Sequence, residues 1–145
     1  TILAHENLNQ IIFTEINRIM HQLFLASAIV ATDNNESSQM ILEKRAQKTI
    51  NNNEISHLEE VIDDLDAKLT PLKNFIMPTG TIIAANLHFS RCLVREAECL
   101  LVELYTLKIL DVSIIKYFNR LSDFLFVLAR FENQSANKKD ILFFV

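Results

Sequence analysis

One glycine (Gly80) and two prolines (Pro71 and Pro78) are all that 145 residues provide for sharp backbone turns, and tryptophan is absent. Sheets joined by tight hairpins need residues that tolerate positive φ. Their scarcity disfavours a strand-rich chain and predicts an all-α one. Cysteine is scarce too: Cys92 and Cys99 lie seven apart with no metal-type spacing, and His5, His21, His57 and His88 form no H-E-x-x-H set. The thiols read as reduced groups of the core or of an interface, and no metal site is expected. No long Lys/Arg run accompanies the net charge of −4, which argues against a nucleic-acid partner. The apolar stretch Leu23 to Val30 is too short to cross a bilayer, and the N-terminus has no basic region followed by an apolar segment and cleavage site. A soluble, cytoplasmic protein with no membrane partner is therefore expected.

What is present fits one folded unit. Apolar residues make up 50% and charged residues 22% of the chain, a globular composition, and its length suits a single domain over 1–145. From about Asn7 to Ala31 the apolar positions Ile12, Ile16, Ile19, Leu23 and Ala26 recur at helical spacing. Thr32 to Asn53 is polar and asparagine-rich with Lys44, Arg45 and Lys48 close together. It reads as a solvated loop, with a cationic cover over an anionic ligand as the sharper alternative. Asn53 is the expected N-cap of a helix from Glu54 to about Leu69, whose acidic outer face (Glu59, Glu60, Asp63, Asp64, Asp66) reads as solvated. Pro71 and Pro78 then bracket a connector, each forcing its preceding residue out of the α region, so that Phe75 is expected on a rigid elbow. A long helix follows from about Thr81 to Leu107, and Asp111 caps the last one, Val112 to about Asn133. The apolar C-terminal run Ile141 to Val145 is expected to pack down or to enter a contact between subunits.

The long helix carries an unusual stripe. His88, Arg91, Arg95 and Glu98 follow at three or four residues and share a face, beside an apolar face of Leu87, Val94, Ala97 and Leu101. Surface ion pairs worth under about 1 kcal/mol are the plain reading of such a stripe. Its apolar flanks favour a partly enclosed site, where unpaired arginines call for a carboxylate or phosphate. His88 reads as a hydrogen-bonded core or interface residue. On the last helix Asn119, Asp123, Phe126 and Arg130 align on a second face.

Five segments resemble the ATP-dependent cobalamin adenosyltransferases of the propanediol-utilisation type. They are Q-L-F-L-A-S-A-I-V-A-T (22–32), L-E-E-V-I-D (58–63), L-T-P-L-K-N-F-I-M-P-T-G (69–80), L-H-F-S-R-x-x-x-R-x-A-E (87–98) and Y-F-N-R-L-S-D-F-L-F-V-L-A-R (117–130). The resemblance implies a five-helix, ferritin-like up-down bundle assembled as a homotrimer, with ATP and cobalamin meeting between subunits. It implies transfer of the 5′-deoxyadenosyl group of ATP, with Mg2+, to cob(I)alamin held without its lower axial ligand. By the same resemblance Arg95, Glu98, Asn119 and Arg91 bind ATP, with Arg95 and Arg91 catalytic and Arg91 in an intersubunit pair. Phe75, Asn119 and Asp123 contact cobalamin, Phe75 at the lower face of the corrin. An electron-donating flavoprotein and an adenosylcobalamin-dependent enzyme are the implied protein partners.

Three departures accompany this. Family members usually open with a T-x-x-G-D-x-G-x-T loop around the triphosphate, which is not found here at Thr1, and Glu96 and Cys99 stand where the family has arginines. Arg91's acidic partner on the first helix has only Glu6 as a counterpart. The alternative expectation is accordingly a cobalamin carrier or structural helical trimer without ATP binding.

Overall fold

The computed structural model describes residues 9–31, 50–107 and 110–144. Glu6, Lys44, Arg45 and Lys48, singled out above, lie outside them. Four helices, and no strand among the described residues, confirm the all-α expectation: α1 (Gln10–Val30), α2 (Asn52–Asp66), α3 (Ile82–Thr106) and α4 (Val112–Ser135).

Each helix begins on a polar side chain that accepts from backbone amides left free in the first turn. Asn9 accepts from Ile11, Thr81 from Ala84 and Asp111 from Ser113. The hydrogen bonds from Ser113 hold the Asp111 carboxyl below its ordinary pKa. The cap of α2 is Asn51, which accepts from both Asn53 and Glu54, and not the expected Asn53. Asn51 is extended and its side-chain oxygen takes both amides, whereas Asn53 already lies inside the first turn.

Side-chain pairs fix the directions of the helices. Arg18 on α1 binds Glu54 at 3.0 Å and Glu15 binds His57 at 3.0 Å, so rising numbers on α1 meet falling numbers on α2. Those two helices are antiparallel. Asp66 at the end of α2 lies 3.6 Å from Arg130 late on α4, while at the other end burial first, and then the charge of nearby Glu54, raise the pKa of Tyr117. These helices run parallel. α3 runs against α4, because Thr81 at its start meets Asn133 and Glu98 beyond its middle meets Asn119. This is an up-and-down arrangement around one core.

The core lies where α4 meets α2 and α3. Leu58 and Leu65 of α2, Leu87 of α3, and Tyr117, Leu121, Phe124 and Leu128 of α4 are essentially without solvent contact. Phe118 and Leu125 also fall on the expected core face. Two apolar stripes are left over. Phe13, Met20 and Phe24 on α1, and Ile82, Phe89, Leu93 and Leu100 on α3, are exposed in the single chain. Periodicity marked them as apolar without telling a core face from an outer one. Cys92 and Cys99 share this outer surface and are free thiols, so neither belongs to the core.

Candidate functional site

Solvent reaches the stripe on α3 unevenly. His88 is 4% exposed, Arg91 and Glu98 are half-buried, and Arg95 is exposed. The enclosure expected of both arginines holds for Arg91 and not for Arg95 in the single chain. Phe126 of α4 makes the difference: its ring centre lies 6.1 Å from that of His88 and 5.9 Å from the Arg91 guanidinium carbon. Neither His88 nitrogen, nor Arg91 Nε, nor Gln22 Oε1 has a hydrogen-bond partner among the described residues. His88 is thus buried as expected but not hydrogen-bonded there. Burial first, and then the charge of Arg91, lower its pKa from 6.5, with Asp140 opposing, and the ring is neutral at pH 7. Buried polar groups without partners are rare, and each marks a place for a further acceptor or donor.

Across the seam between α3 and α4 the polar residues join. Asn119 Nδ2 donates to Glu98 Oε1 at 2.9 Å, and Arg120 Nη2 donates to Asn119 Oδ1 at 2.9 Å and pairs with Asp123 Oδ2 at 3.1 Å. Asn119 is half-buried and satisfied on both sides, as a polar group at a seam requires. Arg95 stands one turn before Glu98. Its guanidinium has no hydrogen-bond or ion-pair partner among the described residues and is exposed to an anion approaching the seam. Asp123 is committed to Arg120 on the rim, an i,i+3 pair worth a few tenths of a kcal/mol by itself.

Phe75 has no hydrogen bond or ring contact to these residues. It sits 81% exposed on the connector, whose shape is set by Asn133 and Gln134, which periodicity did not single out, and by Arg130, which it placed on a polar face. The last two turns of α4 and its exit hold the connector at both ends. Arg130 Nη2 donates to Thr70 O at 2.6 Å, Gln134 Nε2 to Lys68 O at 2.8 Å, and Asn133 Nδ2 to Thr79 O at 2.9 Å, while Asn133 Oδ1 accepts from Thr81 N at 3.0 Å. Gly80 has φ of +125°, and any Cβ there would collide with the Asn133 amide. The single glycine is therefore required by close approach as well as by backbone angle. With Pro71 and Pro78 it marked this bend in the sequence.

Arg130 joins more than the connector. It is 4% exposed and also binds Asp140 at 3.0 Å and Asp66 at 3.6 Å. Asp66 keeps most of its side chain in solvent, as expected of the outer face, while Arg130 is a buried clamp instead of a member of the polar face. Beyond Asp140 the chain runs antiparallel to the elbow: Met77 N donates to Ile141 O and Phe143 N to Phe75 O, each at 2.8 Å, with Ile76 opposite Leu142. The C-terminal segment does pack down, through its backbone, and leaves Phe143 and Phe144 exposed near Phe75.

Fold and site together define an all-α bundle whose two longest neighbouring helices present arginine, glutamate and asparagine at a common seam. The chain belongs to the cobalamin adenosyltransferase family, whose model matches residues 1–132, and is of the PduO type. It is 40% identical over 129 residues to the corrinoid adenosyltransferase PduO of Salmonella typhimurium, covering 89% of this chain and 37% of that protein. The human corrinoid adenosyltransferase MMAB is 38% identical over 89 residues, 61% of this chain and 36% of its own length. A histidine variant of a PduO-type ATP:corrinoid adenosyltransferase from Lactobacillus reuteri, solved with cobalamin and ATP, superposes with a TM-score of 0.85 at 27% identity. That match covers 98% of this chain and 73% of the other. The chain spans little more than a third of the length of the Salmonella and human relatives.

Proposed function

We propose that the protein transfers the 5′-deoxyadenosyl group of ATP to cob(I)alamin, giving adenosylcobalamin and triphosphate. The observation that carries this is the Glu98–Asn119 hydrogen bond, which ties α3 to α4 beside the exposed Arg95, on a chain whose relatives are named for that activity. The reduced cobalt of the substrate supplies the electron pair, attacks the 5′ carbon, and the carbon–oxygen bond to triphosphate breaks. The chain's task is then to orient two substrates, neutralise the leaving group and keep water out. In this reading Asn119 and Glu98 hold the nucleoside, Arg95 balances charge that grows on the triphosphate, and Arg91 pairs with an acid of a neighbouring subunit through its unfilled Nε. Phe75 and Asp123 face the corrin, Phe75 against its lower side. In this reading Mg2+ arrives on the triphosphate oxygens of ATP.

The assembly in this reading is a homotrimer of five-helix subunits, which would cover the exposed stripes on α1 and α3. Incubating the full-length protein with ATP, Mg2+ and chemically reduced cobalamin should abolish the cob(I)alamin spectrum. An unchanged spectrum from folded protein would reject the enzyme. A carrier without nucleotide binding is the second reading, favoured by exposed Glu96 and Cys99, which neighbour Arg95 and Glu98 in the chain and stand where the family has arginines. Cobalamin retained with no ATP affinity would select it.

A further inference from the structure

Between the connector and the C-terminal segment lies a cavity of about 850 Å³, lined on its apolar side by Leu69, Pro71, Leu72 and Leu142. Its charged lining is Lys73, Arg130, Lys138, Lys139 and a single carboxylate, Asp140. Arg130 is already bound to Asp140 and Asp66, so the charges of the three lysines remain uncompensated within the lining. The cavity therefore suits a ligand with an apolar flat part and an anionic part, and its volume is that of a small-molecule site. Asn74 lines it, and the next residue is the exposed Phe75. A ring pressed on the lower face of a corrin and a base still coordinated to that face cannot both be there. The displaced base remains tethered through a phosphodiester and has to go somewhere near Phe75.

Resting on the corrinoid reading above, we propose that this cavity is a subsite for the displaced nucleotide arm of cobalamin. Its benzimidazole lies against Leu69, Pro71, Leu72 and Leu142, and its phosphate lies among Lys73, Lys138 and Lys139. The clamp residue Arg130 then has a second consequence, because it fixes Thr70 and Asp140, two walls of the cavity, relative to the Phe75 elbow.

The test compares cobalamin with cobinamide, which has the same ring but ends before the phosphate and base. Equilibrium dialysis of each against the full chain, wild type and Lys138→Glu/Lys139→Glu, reads the subsite without requiring turnover. The subsite predicts that wild type prefers cobalamin and that the double variant weakens cobalamin roughly tenfold while changing cobinamide by less than about twofold. Lys73→Glu alone should act in the same direction. Equal weakening of both corrinoids, equal affinity of wild type for both, or binding of neither would overturn the proposal. Selective binding of cobalamin without loss of the cob(I)alamin spectrum would instead sink the transferase reading and leave the subsite standing.

Discussion

Arg95 and Arg130 are both arginines on long helices, and the structure gives them opposite tasks. Arg95 is exposed with no partner among the described residues, so Arg95→Ala should shift stability by less than about 0.5 kcal/mol while weakening ATP at least tenfold, read by thermal melting and by titration calorimetry. Arg130 is buried against Thr70 and Asp140, with solvent-exposed Asp66 at 3.6 Å, and Arg130→Met should cost about 2 to 3 kcal/mol in urea unfolding, because it strands the Thr70 carbonyl and the part-buried Asp140 carboxylate. Sequence patterning put both on polar faces. Exposure was legible for neither, since the helical period assigns an angle around an axis and says nothing of which neighbour covers that angle. The partners of Arg130 lie 10 to 64 residues away along the chain, beyond any local signal.

His88 gives a pH dependence of known sign. Its native pKa lies below the ordinary 6.5, so above 6.5 the ring is neutral in both folded and unfolded chains, and below it the unfolded chain takes up a proton that the fold resists. Stability should fall more steeply between pH 7 and pH 5 in the wild type than in His88→Phe, measured as urea midpoints. Equal slopes would mean that the ring is not desolvated.

At the level of elements, α1, α3 and α4 were readable because their apolar periods are long, and α4 also because Asp111 is a plain cap. The first turn of α2 was not, since Asn51, Asn52 and Asn53 offer three equivalent caps and only the backbone angle at Asn51 decides. The connector was legible as a proline-bracketed bend, but its fixings on α4 were not. Gly80→Ala tests those fixings. It meets both a positive φ and the Asn133 amide, so it should destabilise by about 1 to 3 kcal/mol and free the connector to local proteolysis before global unfolding. An Ala variant as stable as wild type would mean that the Asn133 contacts to Thr79 and Thr81 do not hold the elbow.

For the whole molecule, the question is what covers the outer faces. Exposed phenylalanines and leucines along α1 and α3 form more apolar surface than scattered single residues would. In the trimer reading Phe24→Asp, a residue that touches little within its own chain, should shift the mass measured by light scattering from three subunits towards one with helicity retained. Family and fold were legible from the Arg/Glu/Asn blocks because those blocks keep their order and spacing. The surfaces between subunits were not, because an apolar stripe looks the same whether its own chain or another covers it.

The central claim is that the seam between α3 and α4 receives a nucleotide. A crystal structure of the full chain with ATP and cobalamin tests it most directly. The account predicts the nucleoside at Asn119 and Glu98, the triphosphate at Arg95 and the corrin over Phe75. Nucleotide bound elsewhere, with the Glu98–Asn119 bond intact and solvent-facing, would contradict it.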